Sequence, residues 1–429
     1  MINGKSKINP GAKVNIFDTY FKYVENTEPP LLFHRWSMIT CIAAALGRQF
    51  RLPFGDTFIY PNHYCMLIGD PGTRKSTAIK TVKRLLGASG YTTFAAEKTS
   101  KEKFLVDLAG DAATLDSDDR DFLSDLTGKS GTPSELFIVA DEFNEFVGPS
   151  NLEFLSLLGT LWDWDDENVP YKQRLKKSQS LNIYQPTLNI LGGNTFDGFA
   201  TAFPPEALGQ GFLSRLILVH SEHSGKKFAF PVPPSQELKQ ELVEALTEIR
   251  MNVIGNATLT EKAMAMLKTI YHSYQGVEDV RLKHYSTRRH THLLKLCLVV
   301  AASYGKTELT AEHVLIANSL LTYTEHRMPI ALGEFGKSRN SAVTVKIINM
   351  LSAAKLPIEI PAIWRQVHSD LERPEDLNKL LLGLMQAGKI QYVHKTKYSE
   401  AQGYLIVRKV LDTKQVYVDY SLLKEAEGK

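Results

Sequence analysis

The sequence predicts an α/β fold: a parallel-sheet core with a phosphate-binding loop, then a helical lid subdomain and a C-terminal winged helix-turn-helix. Three observations predict it. Short apolar runs alternate with helical stretches over residues 51–225, the pattern of a parallel sheet with crossover helices. Four stretches of helical periodicity run through residues 236–327. Three helical stretches and two short strands then follow one another over residues 342–410.

The elements follow in chain order. Residues 1–14 read as a polar start, and the rest of the 1–50 segment as two helices split by "NTEPP". "HYCMLIG" is an apolar strand ending in a glycine loop, and "KSTAIKTVKRLLG" is the helix behind it. "ELFIVADE" and "PTLNILGGN" are further buried strands. The acidic "DAATLDSDDRDFLSDL" reads as a solvated surface insert. After "GFLSRLILVHSEHSG" comes a Pro-rich connector, "FAFPVPPSQ", which opens the lid helices. "MPIALGEFGKSRNS" reads as a linker. The winged-helix segment runs from "AVTVKIINMLSAA" to "GYLIVRK", and residues 411–429 form a tail.

Composition narrows the function classes. A chain of 429 residues, 43% hydrophobic and 23% charged, is an ordinary globular protein of more than one domain. A net charge of +3 does not by itself indicate nucleic acid. Cys41, Cys65 and Cys297 sit apart in apolar runs, which fits neither a zinc-finger spacing nor a disulfide framework. No signal-peptide core and no apolar run of roughly 20 residues is present, so the expectation is a cytoplasmic protein without membrane contact.

Chemistry concentrates first in Gly69-Asp70-Pro71-Gly72-Thr73-Arg74-Lys75-Ser76-Thr77, between the apolar strand and its helix. In a phosphate-binding loop, backbone N–H groups and a helix N-terminus face the phosphates. Gly69 and Gly72 supply tight geometry, Lys75 pairs with the β- and γ-phosphates of ATP, and Ser76 ligates Mg²⁺. Arg74 stands where the usual motif has glycine. Any residue that can adopt the required backbone angles with an outward side chain can serve there. Asp141 and Glu142 end the next apolar strand: one carboxylate to hold Mg²⁺, a second to activate water. Asn194 ends a third strand and can orient that water. Arg215, in "GFLSRLILVH", is either a salt-bridge partner or an arginine finger that neutralises transition-state charge. His34, Trp36, Trp162 and Trp164 read as packing residues.

This order of motifs resembles the AAA+ ATPases, and among them the minichromosome maintenance type of replicative helicase. That type has G-D-P-x-x-x-K-S in its phosphate loop, without a glycine before the lysine, and "GDPGTRKS" fits it. "ADEFNEF" is similar to the magnesium strand, Asn194 to the first sensor, and "FLSR" to the arginine-finger motif at Arg215. "STRRHTHLLKL" looks like the helix of the second sensor. Aligning Lys295 with its later basic residue selects Arg288 rather than Arg289. "FHRWSMITCIAAALGR" with "YPNHY" resembles the lead-in of phage and prophage replication ATPases. Asn144 replaces the usual aspartate, and Leu216 the usual phenylalanine. The large N-terminal DNA-binding tier and zinc module of the cellular proteins are absent from this sequence. The resemblance spans about residues 30–410.

The resemblance implies ATP and Mg²⁺ as cofactors, self-association into a ring, expected to be a hexamer, and single-stranded DNA in a central channel. Between magnesium strand and first sensor it implies a β-hairpin, on which Lys172, Arg174, Lys176 and Lys177 can follow phosphates of any sequence. A solvated basic strand edge is the other reading of those cations. The winged helix can contact DNA through Arg365, Lys395 and Lys397, or a protein partner such as a replication protein. The expected activity is an ATP-dependent DNA helicase or translocase. The alternatives are an AAA+ initiator, helicase loader or transposition regulator, and a non-catalytic nucleotide-gated scaffold.

Overall fold

The computed structural model describes residues 15–422 apart from 111–133, 165–168, 175–179, 204–210, 334–342, 345, 349, 352–353, 355, 372, 387–389, 396–401 and 407–415. The acidic stretch from 111, Lys176, Lys177 and Lys397 therefore lie outside the described residues. The chain divides into two units, Met1–Gly333 with Val416–Lys429, and Glu334–Gln415.

In the first unit the order is α1 (Ile16–Tyr23), α2 (Leu31–Leu46), β1 (Phe50–Phe54), β2 (Thr57–Ile59), β3 (Tyr64–Ile68), α3 (Lys75–Ala88), α4 (Lys101–Ala109), β4 (Glu135–Ala140), α5 (Phe143–Val147) and α6 (Leu152–Trp162). Then come β5 (Tyr171–Arg174), β6 (Ser180–Ile183), β7 (Thr187–Asn194), α7 (Phe196–Ala202), β8 (Leu216–His220), α8 (Gln236–Asn252), β9 (Gly255–Asn256), β10 (Thr258–Leu259), α9 (Glu261–Ser273), α10 (Lys283–Ser303), β11 (Glu308–Leu309), α11 (Ala311–Glu325) and α12 (Met328–Ala331).

Four strands form a parallel sheet in the order β4-β7-β3-β8. Phe94 adds a parallel bridge to Phe137 on β4. β3, β7 and β8 are buried at every residue. Such runs require cover on both faces. Helices α2 and α3 pack on each other and on the sheet, while α5, α6 and α7 form a second group against β7. α2, "LLFHRWSMITCIAAAL", is buried at nearly every position, as a helix apolar all round must be. Trp36 donates its indole N–H to Thr324 on α11, which ties α2 to the helical segment.

The sequence reading does not separate out the β1–β2 hairpin. β1 also pairs in parallel with β9, joining the core to the segment after α8. Beyond the second unit the chain returns: Asn318 Nδ2 donates to the carbonyls of Val416 and Tyr417 at 3.1 and 2.9 Å.

The second unit contains helical residues at 343–344, 346–348 and 350–351, then α13 (Ile360–Val367), α14 (Pro374–Gln386), β12 (Ile390–Val393) and β13 (Gly403–Ile406). β12 and β13 are antiparallel, and Ile358 bridges to Tyr404 on β13. Val343, Ile347, Leu351, Ile363, Val367, Leu377 and Leu381 form its apolar core. Among the described residues no helix is long and apolar enough to cross a membrane.

Candidate functional site

The sheet register decides which residues meet. Ile68, the last residue of β3, lies opposite Asn194 on β7 and His220 on β8, and Ala140 of β4 lies opposite Gly192. The carboxyl ends of all four strands thus share one edge, where ligands bind in open α/β sheets. The Gly69–Arg74 loop leaves this edge and α3 begins behind it.

The loop is held in a tight cradle. Gly72 has φ 85° and Arg74 has φ 61° and ψ 29°. Glycine is common before the lysine because that backbone is left-handed, a conformation that costs other residues roughly 1–2 kcal/mol. Arg74 adopts it with its side chain largely exposed. Lys75 folds back over the loop. Its Nζ donates to the carbonyls of Gly69 and Asp70 at 2.8 and 2.9 Å and to Thr73 Oγ1 at 3.1 Å. Burial lowers the Lys75 pKa, while the charges of Asp70 and Glu142 act against that shift. α4, α6, α7, α8 and α9 each have a Ser, Thr or Asn side chain capping the first turn. α3 has no side-chain cap, as is also true of α2, α5, α10, α12 and α13. The first N–H groups of an α-helix have no partner within the helix, which suits them to an anion.

Asp141 and Glu142 follow β4 directly. Lys80 Nζ, further along α3, lies 2.5 Å from Asp141 Oδ2. Glu142 is exposed and stands at the start of α5, where its side chain makes no capping bond. Asn194 is 2% exposed, and its carbonyl accepts from Gly69 N–H at 3.4 Å. The glycines before it give the strands room: a Cβ on Gly193 would lie 2.6 Å from the Asp141 carbonyl oxygen. That close approach sets the Asp141 backbone against Gly193, one residue before Asn194, and the "GGN" sequence is its signal.

Arg215 and Arg288 lie elsewhere. Arg215 immediately precedes β8, whose first residue is level with Tyr64 at the start of β3. It is therefore at the opposite end of the sheet from Lys75. Its Nη1 donates to the Gly211 carbonyl and its Nη2 to Asp163 Oδ2, each at 2.7 Å. Arg288 Nη1 donates to the same Asp163 oxygen at 2.8 Å. The neighbouring Arg289 is 3% exposed and pairs with Glu325, Asn318 and Thr322 inside the helical segment. Lys295, fully enclosed, donates to the Tyr60 carbonyl and Asn62 Oδ1 ahead of β3. Burial drives its pKa down to about 7. Asp163 was not legible as a partner, because nothing in "LWDWDDE" separates it from the acids that follow.

β5 and β6 form an antiparallel hairpin. Lys172 and Arg174 are exposed on β5, two residues apart and so on one face. In the second unit Arg365 is exposed on α13, and Lys395 follows β12. His34 and Trp36 are buried: His34 sits between the Tyr20 and Thr27 hydroxyls at 2.9 Å each.

No protein-family model matches the chain. No curated protein matches its sequence.

Ser76, in the first turn of α3, and Asp141 offer hard oxygen donors. Mg²⁺ bound with a nucleotide takes one or two protein oxygens plus phosphates and waters. Among the described residues there is no group of three or more His, Cys, Asp or Glu side chains able to hold a metal alone. Ser76 and Asp141 would meet the protein's share of such a coordination shell.

Proposed function

We propose that this chain is an AAA+ ATPase that acts as a ring and couples ATP hydrolysis to movement along DNA, as a replicative helicase of the minichromosome maintenance type. The observation that carries the reading is the division of candidate residues between the two ends of one parallel sheet. The phosphate loop, Asp141, Glu142 and Asn194 share the carboxyl edge. Arg215 and Arg288 share the other end.

In this reading the loop N–H groups and Lys75 bind the phosphates of ATP. Ser76 and Asp141 hold Mg²⁺, which neutralises charge on the β- and γ-phosphates. Glu142 takes the proton from the attacking water, and Asn194 orients it. Arg215 and Arg288 complete the site of a neighbouring subunit, which is why a ring is expected. The helical segment from α8 to α11 serves as the lid, and the second unit as a winged helix that contacts DNA or a replication protein. The β5–β6 hairpin tracks single-stranded DNA, and a cytoplasmic setting follows.

The decisive experiment is ATP hydrolysis together with strand displacement on forked DNA. Hydrolysis with displacement is expected and should vanish in Lys75→Ala. Hydrolysis and DNA binding without displacement would replace the helicase by an initiator, loader or transposition regulator. Nucleotide-dependent DNA binding without hydrolysis would leave only a gated scaffold.

A further inference from the structure

We propose that Arg74 is a positioning residue: through Glu28 it clasps the Ser221–Phe228 segment as a roof over the phosphate loop and so slows nucleotide release. The proposal rests on the reading of that loop as a nucleotide site.

The roof is a matter of contact. A Cβ built on Gly69 would lie 3.2 Å from the Ser221 carbonyl oxygen, and one on Gly72 would lie 3.7 Å from His223 Cε1. The chain leaving β8 therefore passes directly against the two glycines of the loop. It is fastened to the turn between α1 and α2. Glu28 Oε1 accepts from the Phe228 N–H at 2.9 Å, and its Oε2 accepts from Arg74 Nε at 2.5 Å. The Ser224 hydroxyl donates to the Glu28 carbonyl, and Lys226 Nζ donates to the Glu25 carbonyl at 2.8 Å. One carboxylate thus joins the loop to its roof. The hydrogen bonds from Phe228 and then Arg74 hold that carboxyl below its usual pKa, since both favour the charged form.

Arg74 occupies a left-handed backbone that glycine would adopt without strain. What its side chain supplies in exchange is this link. In this proposal a ligand leaves the loop past the Ser221–His223 segment, which lies against Gly69 and Gly72, and the clasp resists their parting. Alone, an exposed ion pair contributes little. Here the same carboxylate also holds a backbone N–H, so losing Arg74 cuts the loop from the roof and leaves Glu28 freer to move, while Ser224 and Lys226 still hold the roof to the turn between α1 and α2.

The test compares wild type, Arg74→Gly, Arg74→Lys and Glu28→Gln. The readouts are release of a fluorescent ATP analogue by chase, amide exchange over residues 221–228 without nucleotide, and thermal melting. Arg74→Gly should release the analogue about fivefold faster, speed exchange at Phe228, and leave melting of the nucleotide-free protein undiminished. Arg74→Lys should recover part of the slow release. Glu28→Gln should match Arg74→Gly, and the double variant should add nothing further, since both break one contact. Wild-type release and exchange in Arg74→Gly would overturn the clasp. If the wild-type chain bound no analogue, the nucleotide reading would fall and the release role with it. The exchange arm would then decide whether the clasp itself exists.

Discussion

Arg215 Nη2 lies 2.7 Å from Asp163 Oδ2, at the end of the sheet opposite Lys75. Five residues of β3 separate the two ends, roughly 13 Å at strand rise. No rotamer change carries Arg215 past the strand and around the loop to its own Lys75. Arg288, on the same Asp163 oxygen, is equally remote. If these arginines serve a nucleotide, it is a neighbour's.

Arg215→Ala should therefore bind ATP and hydrolyse it slowly, by a factor of about 10³ or more if it acts as a finger. Mixed with Lys75→Ala protein it should regain activity, at interfaces where an intact finger meets an intact loop. Phosphate release by the mixtures, with ring formation checked by light scattering, measures this. Rings that form yet stay as inactive as either parent would rule out action in trans.

Arg288 and Arg289 are adjacent in sequence and opposite in consequence. Arg289→Ala strands Glu325 inside the protein, and breaking a buried pair costs about 3–5 kcal/mol. Arg288→Ala removes a partly exposed contact, so melting should change little while hydrolysis falls. Melting temperature and turnover, measured on both variants, should separate in this way. A strong loss of stability in Arg288→Ala would make it a structural residue.

Lys75→Ala and Glu142→Gln should part binding from turnover. The lysine is poised over the loop by three oxygen contacts, so its loss should abolish tight nucleotide binding. Glu142 is exposed and uncapping, so Glu142→Gln should bind nucleotide and stop hydrolysis. Titration beside phosphate release distinguishes them. Normal turnover in Glu142→Gln would move the general base to another residue.

The strands and the loop were legible because their apolar runs end abruptly in Gly69, Asp141 and Asn194, a signal that depends only on local sequence. The meaning of Arg74 was half legible. Sequence allows a non-glycine there, but the φ of 61° and the bond to Glu28 need the fold. Asp163 and Glu28 were not legible at all. Each matters through partners far along the chain: Asp163 through Arg215 and Arg288, Glu28 through Arg74 and Phe228. One sequence carries no periodicity for such pairs. The β1–β9 pairing escaped for the same reason, since two residues of β9 leave no pattern.

Acid should destabilise the first unit in a defined window. Burial lowers the pKa of His34 and His63 to about 3 and of His292 to about 4. In the unfolded chain these groups titrate near 6.5. Between the two values only the unfolded chain takes up the protons, so their contribution is complete above pH 6.5 and is lost as pH falls towards 3–4. Each shift corresponds to a few kcal/mol at most across that range. Denaturant midpoints should fall between pH 6.5 and 4, and His34→Gln should flatten the slope. A flat profile in the wild type would show that the histidines protonate in place.

The hairpin is the most direct test of DNA contact. Lys172 and Arg174 project from one face of β5, opposite Asn182 and Ser180 of β6. A pair of cations on one face follows a phosphate backbone but cannot read base edges, which demand specific donor and acceptor geometry. Binding should thus be independent of sequence and fall with salt, with a slope that shrinks by roughly one unit for each contact removed. Lys172→Ala with Arg174→Ala, and separately Lys176→Ala with Lys177→Ala, should weaken single-strand binding and abolish unwinding. Basal hydrolysis should survive in both, because the phosphate loop and Asp141 are untouched. A solvated strand edge predicts no change in slope or unwinding. Salt-dependent binding curves beside unwinding rates decide between them, and wild-type behaviour in both doubles would shift the DNA contact to the second unit, where Arg365 and Lys395 become the residues to replace.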